Sequence, residues 1–497
     1  MAPSAPSTNR SAQSLIPGPV AASLPPRDRR FSLAGREPYV LAVVLFVAYT
    51  AVSVGRYRRM ATRSYDLGIF EQTVRAYAHF QAPIVELKGP GYSVLGDHFS
   101  PVTMLLAPFY RVFPSSVTLL VAQAALFALS AVPVTRAATR MLGRARGLTL
   151  GVAYGLSWGL QNAVDFDFHE ICFAVPLIAF SLEALLRRRW RAALLWGLPL
   201  VLVKEDQGLT LAVIALVVAL RARRHGSPRV VPYALAVAAF GAVATLLAFT
   251  LIIPAFNTAG ASDYLSKVGD SGPLDGMDTK IRTVLWLVIP TSGLLALRSP
   301  IVLAVLPTLG WRFVSSDHHY WGTAWHYSAV LMPIITLALV DALPGARHDS
   351  RPWLRSYALH LPAAVLAASL ALTTMLPLGT LTKADAYRVP AEVRAVEKLL
   401  RTIPDGATVE SNIGPITRLT SRCRVFWIGR TKGLAPDYIA FNNSSHWVKD
   451  VPAFARQLHP RDTYVLRGVI QGYVLLKRTS PSTSPSTSLS TSLSTSS

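Results

Sequence analysis

Apolar runs dominate the chain, and most of them approach the length of a bilayer crossing. A helix needs about 20 predominantly apolar residues to cross the hydrocarbon core, and fewer where the membrane is thinned or protein lines the path. Eleven segments fit: 38–54, 117–137, 147–163, 170–186, 191–203, 208–221, 230–252, 283–297, 300–314, 325–343 and 357–378. Several are short. The runs 191–203 and 208–221 would rise only about 20 Å each, so they are either two short crossings or one hairpin that dips in and returns. The pattern therefore predicts an α-helical polytopic membrane protein with about eleven spans, in a range of about 9–13.

Polar segments divide the rest. Residues 1–37 are rich in Ser, Pro and Arg, without apolar periodicity, and read as a disordered cytoplasmic tail. The first apolar run has no convincing small-residue cleavage site and is expected to stay as an anchor. Residues 38–378 form the membrane domain, with a long first external loop at 55–116. From 379 the chain changes character. Val393, Val396, Leu399, Leu400 and Ile403 recur at helical spacing behind Pro390. Strand-like runs follow at Ala407–Glu410, Arg424–Ile428, Tyr438–Phe441, Tyr464–Val469 and Tyr473–Lys477. These predict a small external α/β domain over 379–478. The Ser/Thr-rich repeat at 479–497 cannot bury a core and reads as a solvated tail.

Charge sets the orientation. Arg136, Arg140, Arg144 and Arg146 follow the second run; Arg187, Arg188, Arg189 and Arg191 the fourth; Arg221, Arg223, Arg224 and Arg229 the sixth; Arg347, Arg351 and Arg355 the tenth. Every second connection is strongly basic, which places those connections and the N-terminus in the cytoplasm and the C-terminal domain outside the cytoplasmic membrane. One cluster breaks the rule: Arg56, Arg58 and Arg59 fall on the external side.

Composition agrees. The 497 residues are 51% hydrophobic and only 15% charged, with a net charge of +22 and mean hydropathy of +0.37. A soluble domain carries roughly 25% charged residues, so soluble enzymes are excluded. The positive charge would suit nucleic acid, but it sits in short clusters between apolar runs, so no nucleic-acid partner is expected. The two cysteines, Cys172 and Cys423, are too far apart in sequence to suggest a disulfide framework.

Candidate chemistry collects in the acidic connections, which all fall on the external side. Asp66 opens a segment with Leu67, Phe70, Val74 and Tyr77 on one stripe, an amphipathic helix suited to the outer membrane surface; it could equally be an ordinary N-cap. Asp97 and His98 precede Ser100-Pro101, itself a helix-start signal. Asp165, Asp167, His169 and Glu170 put four titratable groups into six residues. Lys204, Glu205 and Asp206 interrupt a near-continuous apolar stretch, where charge is costly unless paired or facing a polar cavity. Asp317, His318, His319 and His326 look like metal ligands, at a spacing that fits no established metal signature. No P-loop or other nucleotide-binding motif is present, so nucleotide-driven transport has no support.

Together YDLGIFEQ (65–72), DHFSP (97–101), FHE (168–170), KED (204–206) and HYSAVLMP (326–333) resemble a family of bacterial polytopic membrane proteins of unknown function, over about 38–475. At greater distance the layout resembles the GT-C glycosyltransferases, which take sugars from polyprenyl-phosphate donors. That resemblance implies a GT-C-like fold, and it implies Asp66 as the acid of the first external loop; the paired Asp-Glu of those enzymes is missing, with Glu71 five residues on. It further implies an inverting transfer with Asp66 as base. Lys204, with Arg56, Arg58 or Arg59, would hold the phosphate. Asp97, His98, Asp165, Asp167, His169, Glu170, Glu205, Asp206 and His326 would bind sugar or acceptor, or a divalent metal, the only cofactor in view. The expected partners are membrane lipid, the lipid-linked donor and an acceptor the sequence does not name. A secondary transporter with an Asp/Glu/His proton relay is the alternative, and a non-catalytic envelope protein a third.

Overall fold

A computed structural model describes residues 35–63, 65–257, 272 and 275–479. Both terminal tails expected from composition lie outside the described residues, apart from the junctions at 35–37 and 479. Among the described residues five helices are long and apolar enough to cross a membrane: Glu37–Arg58, Ser116–Leu142, Pro228–Phe256, His326–Arg347 and Pro352–Thr373. Helix α1, Glu37–Arg58, has 22 residues and so extends about 33 Å, enough for a hydrocarbon core of ~30 Å.

The remaining apolar runs are helical too, but shorter or broken. The run 147–163 divides at Leu156–Ser157 into helices Arg144–Gly155 and Trp158–Asp165. The run 191–203 starts as helix Trp190–Gly197 and tightens into a 3-10 turn at Leu198–Leu202, around Pro199. The run 170–186 begins with a 3-10 turn, Glu170–Phe173. These breaks leave polar residues at the ends of short elements, where they can reach one another. His326–Arg347 is the innermost long helix, with every residue from Leu331 to Val340 buried.

Helix α2, Tyr65–Ala78, does not lie along a membrane surface on one apolar stripe. Every residue from Leu67 to Val74 is buried. Leu67, Phe70 and Val74 pack into the core of the membrane domain. Ile69 packs on the other side, with Val85 and Leu87 of the long loop and Val396, Val409, Ile416 and Val425 of the C-terminal domain. The sequence stripe marked only the first face. The second is made of small and polar residues whose hydrogen bonds are met within the protein. Gln72 donates to the Val425 carbonyl at 2.9 Å and accepts from the Leu87 amide at 3.2 Å. Gly68 lets the C-terminal domain approach: a Cβ there would lie 2.5 Å from Ile416 Cγ2 and 2.7 Å from Leu87 Cδ1.

The C-terminal domain carries a five-stranded sheet of order β2-β1-β3-β5-β4, with β1 Thr408–Ser411, β2 Arg424–Trp427, β3 Tyr438–Asn442, β4 Tyr464–Ile470 and β5 Tyr473–Arg478. The first three are parallel, and β5 is antiparallel to both of its neighbours, β3 and β4. Each strand lies within about a residue of its expected bounds. Along β3, Tyr438 and Ala440 face the core shared with α2. Ile439 and Phe441 face a second core with Val448 and Ala455, the period-two alternation of a strand covered on both faces.

Replacing Gly68 by valine should force the two domains apart or distort α2. The expected cost is about 1–3 kcal/mol, read as a lower unfolding temperature of the detergent-solubilised protein. An unchanged unfolding temperature would show that the contact at Gly68 yields freely.

Candidate active site

Asp66, Asp97, His98, His169, Glu170, Lys204 and His326 line one cavity of about 490 Å³, together with Tyr65, Phe70, Lys88, Trp311, Tyr320, Tyr327 and Arg430. Asp66 comes from the first turn of α2. Its side chain is 36% exposed, and its Oδ2 lies 3.1 Å from His169 Nε2. Burial works to raise its carboxyl, but the His169 hydrogen bond and the fields of His169, His98 and Lys88 outweigh it and hold the group below the usual carboxylate range. Asp66 is therefore an ionised acceptor at neutral pH.

His169 stacks on His326 with ring centroids 3.6 Å apart, tilted by 18°. Phe166 closes one side of the stack, 5.0 Å from His169. Both Nδ1 atoms are buried without a hydrogen-bond partner among the described residues. Lys204 Nζ donates to Glu170 Oε1 at 2.9 Å. Lys88 pairs with Asp97, whose Oδ2 is also 3.2 Å from His98 Nε2. Burial alone would raise Asp97; His98 and Lys88 reverse that and draw it down to about 2. Burial pushes His98 below its ordinary value despite Asp97 beside it.

Two more cations reach the cavity that sequence reasoning missed. Lys88 lies far along the long loop, and Arg430 comes from the turn after β2, where it hydrogen-bonds Tyr65. Gly429 and Gly433 bracket Arg430 and Lys432, a signal of a basic turn, but more than 350 residues of chain separate it from Asp66 and only the fold joins them. Tyr65, Trp311, Tyr320 and Tyr327 add aromatic walls.

Other candidates lie outside the cavity. Asp165 pairs with Arg56 at 2.7 Å and with Arg63 at 3.4 Å, while Asp167 accepts from the Arg63 amide at 3.1 Å. They brace the chain between α1 and α2 and so position Asp66. Gln123 holds the same turn, donating to the Ala163 carbonyl at 3.2 Å and accepting from the His169 amide at 3.0 Å. Glu205 accepts from the Phe99 amide at 3.2 Å. Asp206 accepts from Gln207 at 3.0 Å. Neither lines the cavity; Glu205 is engaged by a loop amide and Asp206 by the side-chain amide of Gln207. Arg56, Arg58 and Arg59 are not there either: Arg56 is taken by Asp165, and Arg58 and Arg59 face a different groove. Of the four residues that looked like metal ligands, Asp317, His318 and His319 bring donor atoms within 4.8 Å of one another. His326 instead faces the Asp66 cavity.

A bundle of apolar helices with a small sheet domain is the GT-C-like fold, and a solved structure shares it. The crystal structure of ArnT from Cupriavidus metallidurans bound to undecaprenyl phosphate is similar over 87% of this chain and 97% of that one, with a TM-score of 0.55 and 14% identity. ArnT in the apo state covers 89% of this chain and 98% of that one, with a TM-score of 0.47 and 13% identity. At such identity the likeness is one of fold. Residues 56–460 match the family described as predicted membrane protein (DUF2079), and the chain belongs to it. No protein of curated function matches the chain.

Glu205, outside the cavity lining, offers a pH test. Burial pushes Glu205 up to about 8, against the attraction of Lys204. An acid raised on folding adds stability that is complete below its ordinary value of 4.5 and drains away as pH rises through about 8. Wild-type thermal stability should fall between about pH 5 and 8 more steeply than that of Glu205→Gln, by up to about 1.4 kcal/mol per pH unit. Parallel curves would show Glu205 ionised in the native protein.

Proposed function

We propose that the chain is an inverting glycosyltransferase that takes a sugar from a polyprenyl-phosphate donor at the external face of the cytoplasmic membrane. The observation that carries this is the pairing, in one cavity of a GT-C fold, of an ionised carboxylate on α2 with Lys88, Lys204 and Arg430. The undecaprenyl phosphate bound by ArnT supports a lipid-phosphate ligand. The alternation of basic and acidic connections supports a cytoplasmic N-terminus and an external sheet domain.

The chemistry follows from the groups present. The acceptor oxygen bonds the anomeric carbon as the bond from that carbon to the phosphate oxygen breaks, and the electron pair leaves on the phosphate. Asp66 takes the acceptor's hydroxyl proton. The cations hold the phosphate as its charge grows. Lys204 and Lys88 are already hydrogen-bonded to Glu170 and Asp97, which fixes their ammonium groups before the donor arrives. His169 and His326 wall the cavity where sugar or acceptor hydroxyls would lie.

Asp66→Asn keeps the size of the group but cannot accept a proton at neutral pH. In membranes supplied with polyprenyl-phosphate sugars, transfer should fall by roughly 10²-fold or more, with protein abundance and donor binding unchanged. Lys204→Ala should weaken donor binding and rate together, because phosphate charge is present before and during transfer. Full activity in Asp66→Asn would remove it as base. Wild-type membranes that transfer nothing from any such donor, yet take up a solute under an imposed proton gradient, would establish the transporter reading instead.

A further inference from the structure

Arg58 and Arg59 sit on the side that the charge rule would leave free of arginine, and the Asp66 cavity does not use them. They open instead on a separate trough of about 360 Å³ that shares no lining residue with it. One wall is the outward face of α1, with Phe46, Val47 and Val54; the other is the segment Ala386–Val389, just after the last long helix. Along the same helix Val43 and Val47 are each 61% exposed, which suits a face turned to hydrocarbon. From Phe46 to Arg58 the helix rises about 18 Å, so the trough runs from the apolar part of α1 to its charged end.

At that end stand three guanidinium groups. Arg58 and Arg388 are exposed, and Arg59 ties the two walls together by donating to the Ala386 carbonyl. No carboxylate lines the trough among the described residues. An apolar channel closed by three arginines is complementary to a molecule with a hydrocarbon chain and a phosphate head. Arginine suits the head in particular, because its planar fork donates to two phosphate oxygens at once.

We propose that this trough binds an anionic phospholipid from the adjacent leaflet, with a chain along α1 and its phosphate on Arg58, Arg59 and Arg388. The lipid then compensates the arginines that topology disfavours here, and it fastens the connection between the last long helix and the sheet domain against α1. The site is independent of the transfer reaction, so binding is measured without any sugar donor.

Gly55 provides a variant that leaves the charges intact. A Cβ there would lie 3.4 Å from the Ala386 oxygen and 3.5 Å from Arg59 Nη1, so leucine would fill the trough beside the arginines. The test titrates phosphatidylglycerol, with phosphatidylcholine as the zwitterionic reference, onto the full chain in detergent and reads binding by native mass spectrometry. Wild type should prefer phosphatidylglycerol. Arg58→Ala with Arg388→Ala should weaken it about fivefold per arginine, as for basic residues at a membrane surface. Gly55→Leu should abolish the bound lipid while thermal unfolding without added lipid stays near that of wild type, and it carries the test alone if the arginine variant fails to fold. Equal binding of the two lipids, or phosphatidylglycerol binding unchanged in Gly55→Leu, would overturn the proposal. So would undecaprenyl phosphate displacing phosphatidylglycerol at equal concentration, since the occupant would then be the wrong lipid.

Discussion

The carboxylate of Glu71 is fully buried, and three hydroxyls from distant parts of the chain converge on it: Tyr110 at 3.1 Å, Ser116 at 2.6 Å and Thr420. Tyr110 belongs to the long loop, Ser116 starts the second long helix, and Thr420 belongs to the C-terminal domain. Burial raises the Glu71 carboxyl, and leaving such a buried group without hydrogen bonds costs about 1–3 kcal/mol. The three parts must therefore assemble around α2 together or not at all. Asp66 lies five residues earlier on the same helix, so its position in the cavity depends on a carboxylate that does not line that cavity.

How far the sequence disclosed this varies with the length scale of the signal. Apolar runs locate helices wherever they fall, because burial in lipid or protein demands it, and the strand bounds came from alternation and turn residues nearly to the residue. The placement of α2 was less visible. Its stripe of Leu67, Phe70 and Val74 showed one buried face, while the opposite face depends on Gly68, Glu71 and Gln72, which look like surface residues until their partners over 300 residues away are known. Asp66, His98, His169, Glu170 and Lys204 were legible because charges at the edge of apolar runs need a reason. Lys88 and Arg430 were not, since a cation in an ordinary polar segment has no local mark of function. Asp165 and Asp167 are near the cavity residues in sequence but outside its lining, where they hold the chain that leads to Asp66.

The two polar regions near the end of α1 separate by the partners of their arginines. Arg56 is neutralised within the protein by Asp165, whereas Arg418 caps α1 from the C-terminal domain, donating to the Tyr57 carbonyl at 2.6 Å and stacking on the Tyr57 ring at 3.9 Å. A cation at a helix C-terminus is favourable, so the end of α1 is stabilised by the domain that follows the last long helix. Arg58 and Arg59 are the remainder, turned toward the trough.

The cavity lining has a charge balance that follows directly from its residues. With Asp66, Asp97 and Glu170 ionised against Lys88, Lys204 and Arg430, the formal sum is zero while the histidines are neutral. A phosphate-bearing ligand would make that enclosed volume negative by at least one charge, in a setting where an uncompensated charge is expensive. Burial disfavours a proton on His98, so the balancing charge has to arrive with the ligand. An anion that enters with its own proton or a cation leaves the cavity neutral both when it is filled and when it is empty.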